Sequence, residues 1–451
     1  MFKCLGNCNQ CHKCKEICEE NILADVLLYP DFICNERKGS YGFSVDVGTT
    51  TIAAALWDLE TGGQVGKKAV HNPQKFFGND VISRITYAMK GEEEYDNLHK
   101  PLKKTINEIF ISMLKAADID YNKVTSAVFC GNTTMMLLLT GRKVDGMSSY
   151  PFEPEKIQAM ELYDFEGFDS IRGYLLPNIG GHVGGDITAG LVSIDILNRN
   201  ENILFVDIGT NGEAVLKVDN KLFAFSTAAG PAFEGANISC GMSASKGAIT
   251  EIDMNINGFK YKTVDDEPAV GICGSGLISI ICALKKNKII DEKGTFVSYD
   301  DFIRMNPYSS LGKYLRNNEF IIQKETCELP EIKITQNDIR EFQLAKAAIR
   351  SGIDMILENI QCGIHKIDTV YLAGGFSAYS KTEDILSLGI IPLFDKKRVI
   401  KAGNTALSGA SMVLLNDEYK TYCEKISENI KHIELSKYDG FQEAFINALD
   451  F

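Results

Sequence analysis

The stretch F-V-D-I-G-T-N-G-E-A-V at 205–215 repeats a phrase met earlier, S-V-D-V-G-T-T-T-I-A-A at 44–54. Around both copies, apolar and β-branched residues approach an Asp-x-Gly-Thr turn and strand-like residues resume after it. Each copy reads as strand, tight turn, strand. A Walker-type loop would leave its strand through G-x-x-x-x-G-K-[ST] into a helix, and no such string occurs. Gly48 and Gly209 are expected to turn the backbone with positive φ and to expose successive N–H groups as a small anion nest. Thr49, Thr50, Thr51 and Thr210 add hydroxyls, and Asn211 stands beside the second set. Asp46 and Asp207 would repel phosphate unless a divalent cation stood between, and hard carboxylate oxygens suit Mg2+. One Asp-Gly turn is commonly only a hairpin, but its recurrence marks a duplicated lobe. The expected fold is α/β, two duplicated lobes with a nucleotide held in the cleft between them.

The bulk of the chain agrees with this reading. At 451 residues it is too long for one ordinary core. The hydrophobic fraction of 45% and charged fraction of 24% are those of a globular protein. A net charge of −13 argues against general affinity for nucleic acid or an anionic membrane. The start, M-F-K-C-L-G-N-C-N-Q-C-H-K-C, lacks the apolar stretch of a secretion signal, and no apolar run reaches membrane-spanning length. The expected location is the cytoplasm, and the expected divisions are 1–38, 40–198 and 200–451.

Six of the thirteen cysteines lie in the first 34 residues. Cys8, Cys11, Cys14 and Cys18 have the spacing C-x2-C-x2-C-x3-C of bacterial ferredoxins, without the closing proline. Three thiolates at that spacing can hold three corners of a cubane. Cys18, Cys4 and Cys34 are alternative fourth ligands, so a [4Fe-4S] cluster is the expected cofactor. Structural zinc is the rival, although its Cys pairs are commonly separated by a longer loop. Free thiols are the third possibility.

Several further strings suit a nucleotide protein. K-V-T-S-A-V-F-C-G-N-T-T-M-M-L-L-L at 123–139 runs from strand through Gly131-Asn132 into a helix, with Thr133 near its start. N-T-A-L-S-G-A-S-M-V-L-L at 404–415 places Ala406, Gly409 and Ala410 where they allow a close helix crossing. In T-V-Y-L-A-G-G-F at 369–376, Gly374 and Gly375 would let the main chain lie against adenosine. A long amphipathic helix is predicted after Thr335 and Asp338, a T-x-x-D capping signal. Its Lys346 and Arg350 form either a solvated face or part of the adenine pocket. Among glycine-dense strings, Asp186 and Glu234 are candidates to position metal or attacking water. His182 reads more readily as structural than as catalytic.

Taken together, V-D-V-G-T-T-T, N-P-Q-K-F-F-G-N-D-V-I-S-R-I (72–85), G-N-T-T-M, V-G-G-D-I-T-A-G, V-D-I-G-T-N-G-E, G-P-A-F-E-G-A-N-I-S-C-G-M, G-I-C-G-S-G-L, Y-L-A-G-G-F and G-N-T-A-L-S-G-A resemble one superfamily. It is that of acetate and sugar kinases, heat-shock chaperones and actin, and more narrowly the reductive activators of corrinoid proteins. The resemblance implies two actin-like, RNase H-like lobes and an ATPase. Such a protein drives an electron from its own iron–sulfur centre to an inactive Co(II) corrinoid protein, regenerating Co(I). It also implies that Asp46, Thr49 and Thr50 form the first phosphate loop and Asp207, Gly209 and Thr210 the second. Gly374 and Gly375 would touch adenosine. Upstream, a ferredoxin or flavodoxin would supply electrons, in an anaerobic organism. The better-known members begin instead with a plant-type ferredoxin domain, which leaves cluster type and acceptor open. Another metalloenzyme, such as a hydroxyacyl-CoA dehydratase or a double-cubane protein, is the alternative acceptor. Activity as a small-molecule kinase, a role as a nucleotide switch, and assembly as a homodimer also stay open.

Overall fold

The computed structural model describes residues 32–149, 152, 160–162, 171–375 and 379–451. The cysteine run, with Cys4, Cys8, Cys11, Cys14 and Cys18, lies outside the described residues.

The amino half opens with three strands, β1 (Tyr41–Val47), β2 (Thr51–Asp58) and β3 (Gly63–His71). Helices α1 (Val81–Ala88) and α2 (Glu92–Ala117) follow, then β4 (Val124–Gly131), α3 (Thr133–Leu139), β5 (Met160–Leu162), β6 (Arg172–Leu175) and α4 (Gly185–Ser193). The sheet runs β3-β2-β1-β4-β6-β5. β1 is antiparallel to β2 and parallel to β4, with Asp46 opposite Cys130 and Val47 opposite Gly131. β1 alternates Phe43, Val45 and Val47 on one face with Gly42, Ser44 and Asp46 on the other, where the Ser44 hydroxyl meets that of Ser411 at 2.8 Å. Phe43 stacks on Phe110 of α2 at 3.9 Å between ring centroids, in a core shared with Val45, Val47 and Leu102.

The carboxyl half repeats the plan with insertions. β7 (Ile203–Ile208), β8 (Gly212–Val218) and β9 (Lys221–Thr227) are followed by β10 (Ala248–Asn255), β11 (Gly258–Thr263), β12 (Gly271–Ile272), α5 (Gly274–Lys286) and α6 (Tyr299–Met305). Next come β13 (Leu315–Arg316), β14 (Glu319–Gln323), β15 (Ile332–Thr335) and the long α7 (Gln336–Asn359). The chain closes with β16 (Thr369–Ala373), α8 (Thr382–Ser387), β17 (Val399–Gly403), α9 (Thr405–Leu415), α10 (Glu418–Asn429), β18 (Ile430–His432) and α11 (Phe441–Asn447). The second six-stranded sheet runs β17-β16-β7-β8-β9-β18. In both large sheets a three-strand run, β1 to β3 or β7 to β9, is joined through its first strand to a later one, β4 or β16. The duplication read from the repeated phrase is therefore a duplication of topology. The insertion folds as two small sheets, β11-β10-β12 and β13-β14-β15.

Local signals set two of the carboxyl-half helices, α7 and α9. α7 starts with the predicted capping box, in which the Thr335 hydroxyl accepts from the Asp338 N–H and the Asp338 carboxylate accepts from the Thr335 N–H. Its stripe of Ile339, Phe342, Ala345, Ile349, Ile353 and Ile356 is buried. α9 shows the close crossing expected of its small residues, because a Cβ on Gly409 would stand 1.9 Å from the Ala189 carbonyl oxygen of α4. Among the described residues no helix is long and apolar enough to cross a membrane.

By their contacts the residues divide into two compact units. One comprises 1–205, 215–224 and 402–433, and the other 206–214, 225–401 and 434–451.

Candidate functional site

In the first unit, β1 carries Asp46 near its carboxyl end and the chain turns through Gly48, Thr49 and Thr50 into β2. The turn closes through the Gly48 N–H, which donates to the Thr51 carbonyl at 3.0 Å. The expected positive φ is absent at Gly48, as it is at Gly209. Gly48 is required for a different reason: a Cβ there would stand 2.6 Å from the Thr51 oxygen. Close approach, and not handedness, selects glycine at this position.

Three later segments reach this turn. Asn404, which caps α9, donates its side-chain amide to the Asp46 carboxylate at 3.1 Å. Asn132, which caps α3, donates to the Thr49 hydroxyl at 2.9 Å. Gly184, at the start of α4, is pressed on Asn132 so tightly that a Cβ would stand 2.4 Å from the Asn132 Cα. That contact brings in Asp186, in the first turn of α4, whose carboxylate accepts from the Ile187 N–H at 2.9 Å. Asp46 keeps some accessible surface, yet burial pushes its carboxyl up to about 6, against the opposing pull of the Asn404 amide. A carboxylate so poorly solvated gains from a cation, which fits the Mg2+ expectation. Beside it, the Thr133 and Thr405 hydroxyls are buried without a hydrogen-bond partner in the described structure, and such groups call for an explanation. Thr133 and Thr405 each follow directly on one of the asparagine caps.

The second unit holds the other turn. β7 delivers Asp207, the Gly209 N–H donates to the Asn211 carbonyl at 3.0 Å, and the Thr210 hydroxyl donates to Glu234 at 2.8 Å. The structure thus joins Glu234, from a distant glycine-rich string, to the Asp207 turn. Gly374, with φ of +94°, ends β16 directly against this turn. A Cβ there would lie 2.4 Å from the Ile208 carbonyl and 2.9 Å from an Asp207 carboxylate oxygen. Gly374 is therefore a supporting surface for the turn; Gly375 follows it.

The remaining candidates are engaged elsewhere. Lys346 is 2% exposed, donates to the Asp450 carbonyl at 2.5 Å and faces the Phe451 ring, so the solvated-face alternative does not describe it. Burial, with Arg350 and Lys285 nearby, lowers its ammonium to about 8. Arg350 pairs with Asp354 at 2.7 Å. His182 packs edge-on to Phe152 at 4.8 Å, and burial lowers its basicity, as suits a structural histidine. The thiol of Cys34 is raised by partial burial.

Among the groups missed in the sequence are the asparagines Asn132 and Asn404. Both sit in the same triplet, Gly-Asn-Thr at 131–133 and 403–405, each time between a strand and a helix. That repetition was a readable signal.

Comparison with known proteins shows the family. The family model described as the RACo middle region matches residues 41–199, and that described as the C-terminal domain of RACo, the ASKHA domain, matches 201–451. The corrinoid activation enzyme RamQ of Eubacterium limosum is 32% identical over 430 residues, covering 92% of this chain and 71% of that protein. The [Co(II) methylated amine-specific corrinoid protein] reductase of Methanosarcina barkeri is 25% identical, covering 91% of this chain and 77% of that one. A solved structure, a reductive activator for corrinoid, iron-sulfur protein, superposes with a TM-score of 0.83 at 34% identity. That match covers 91% of this chain and 66% of the solved one, so the chain spans just under two thirds of that relative's length. The chain belongs to the RACo family, with the family's middle region followed by its ASKHA domain.

Proposed function

We propose that the protein is an ATP-dependent reductive activator of a Co(II) corrinoid protein, restoring it to Co(I) by transfer of one electron. The carrying observation is the match to corrinoid-activating relatives across nine tenths of the chain, in a fold that keeps both acidic Gly-Thr turns. Division into a Cys-rich segment at 1–38 and lobes at 40–198 and 200–451 belongs to the same proposal, as does a cytoplasmic location.

In this reading the backbone N–H groups and hydroxyls of the 46–51 and 207–211 turns bind ATP phosphates, and Asp46 and Asp207 hold Mg2+ through their carboxylates. Glu234, already a hydrogen-bond acceptor from Thr210, orients the attacking water, with Asp186 as the corresponding acid of the first unit. Gly374 and Gly375 carry the adenosine side. The donor set at Cys8, Cys11 and Cys14, closed by Cys18, Cys4 or Cys34, is chemically suited to an iron–sulfur cluster, which when bound supplies the low-potential electron. Free energy from ATP enters as a difference in affinity between states of the protein for the oxidised and reduced acceptor.

The test is anaerobic purification, iron and sulfide analysis with electron paramagnetic resonance, and optical detection of Co(I) in a corrinoid protein with and without MgATP. ATP-dependent Co(I) formation is expected. Absence of iron and sulfide together with phosphorylation of a sugar or acid would overturn the proposal in favour of a kinase. Reduction of a dehydratase in place of a corrinoid protein would reassign the acceptor only.

A further inference from the structure

We infer that Asn72, Asn132 and Asn404 are positioning residues that hold the first phosphate turn in its binding shape before nucleotide arrives. Each uses its two side-chain ends for two different tasks. The amide oxygens cap helical segments: Asn72 accepts from the Gln74 N–H at 3.0 Å, Asn132 from the Met135 N–H at 3.0 Å and Asn404 from the Leu407 N–H at 2.8 Å. The amide nitrogens all go to the turn. Asn72 donates to the Gly48 carbonyl at 2.9 Å, Asn132 to the Thr49 hydroxyl at 2.9 Å and Asn404 to the Asp46 carboxylate at 3.1 Å. The Asn72 backbone N–H adds a fourth tie, to the Thr50 carbonyl at 2.8 Å.

Only an asparagine meets both demands at these distances, since a planar amide presents an acceptor and a donor on opposite sides of one short stem. The frame behind it is rigid. Asn72 and Asn132 are buried, and Met135 accepts weak contacts from Asn72 at 3.6 Å and from the buried Arg84 at 3.5 Å. The Arg84 guanidinium also donates to the Gln74 side chain and the Gly78 carbonyl. By occupying the Gly48 carbonyl and an Asp46 oxygen, the amides fix which turn groups remain to meet phosphate and cation. Pre-organisation of this kind lowers the ordering cost of binding. The inference rests on the reading of this turn as a phosphate site.

The test uses the full chain and replaces each asparagine by serine and by alanine. Serine retains a helix cap but its short hydroxyl cannot span to the turn, whereas alanine removes both functions. Asn404→Ser, at the only part-buried position of the three, is the variant least exposed to misfolding. The serine variants are expected to melt near the parent while losing about tenfold or more in MgADP affinity, and in kcat/KM for ATP, per lost tie. Hydrogen exchange at Gly48 in nucleotide-free protein should speed up in the same variants. Serine variants that equal the parent in both binding and exchange would overturn the inference and leave the asparagines as helix caps. If the parent protein bound no nucleotide, the phosphate reading would fall, and exchange at Gly48 would still decide whether the amides hold the turn.

Discussion

The two Asp-x-Gly-Thr turns share a phrase and a sheet topology, yet the side chains bonded to them differ in kind. The first is tied by neutral amides from three helix caps. The second has its hydroxyl bound to a carboxylate, Glu234, and rests on the bare backbone of Gly374. Neutral donors add no charge to that of Asp46, which under the proposed function suits the first turn to holding phosphate. Two carboxylates around one turn, Asp207 and Glu234, favour a divalent cation and can polarise a water molecule. Duplication supplied two copies of a scaffold, and under the proposed function their neighbours fit the first for holding and the second for chemistry.

If that division of labour is right, removing charge at the second turn is the most damaging change. Asp207→Asn keeps shape and is expected to reduce ATP turnover by about a hundredfold or more while iron and sulfide content stays unchanged. Asp46→Asn should act mainly on nucleotide affinity. Steady-state kinetics and metal analysis on both proteins check this, and equal losses of kcat would erase the contrast.

Next in size are the two turn glycines. At Gly48 a new Cβ meets a carbonyl oxygen at 2.6 Å, whereas around Gly209 nothing lies closer than 3.8 Å. Gly48→Ala is therefore expected to destabilise the first unit by about 2 kcal/mol. Gly209→Ala should stay within about 0.5 kcal/mol of the parent. Chemical denaturation of the two variants measures the difference directly.

This pair also shows what the sequence could and could not reveal. The repeated phrase identified both turns, the hairpins around them and the duplicated α/β plan, because apolar periodicity and turn chemistry are local properties. The capping box at Thr335 and Asp338 and the tight crossing at Gly409 were legible for the same reason. The purpose of Gly48 was not, since the clash that selects glycine depends on the distance to Thr51 in the folded turn. Likewise the asparagine ties span from 24 to 358 residues along the chain; the repeated Gly-Asn-Thr triplet marks two of these asparagines but not the turn they reach. Lys346 was ambiguous because helical spacing says which side chains share a face, and only the packed carboxyl terminus shows that this one is covered.

Acidity offers a third probe of the first turn. The Asp46 carboxyl is raised from 3.8 to about 6, chiefly by burial. Between those values the folded protein binds more protons than the unfolded chain, so stability falls as pH rises through the window. The penalty is complete above about pH 7 and absent below about 4, and a shift of that size corresponds to something on the order of 3 kcal/mol. Asp46→Asn should therefore raise the melting temperature of nucleotide-free protein at pH 7.5 and leave it unchanged near pH 4. A uniform shift at both pH values would mean that the carboxyl is not desolvated.

The smallest expected effect concerns Glu234. Glu234→Gln preserves an acceptor for the Thr210 hydroxyl, so the turn keeps its shape, but removes the charge that would draw a proton from attacking water. Turnover is expected to fall about tenfold, less than the hundredfold or more usual for a lost general base because Asp207 stays in place, with KM for ATP and the melting temperature unchanged. A rise in KM without a fall in kcat would make Glu234 part of the holder and not of the chemistry. In that case the second turn would differ from the first only in the sign of its neighbours, and the attacking water would have to be sought beside Asp186, the remaining acid carried by a glycine-rich helix start.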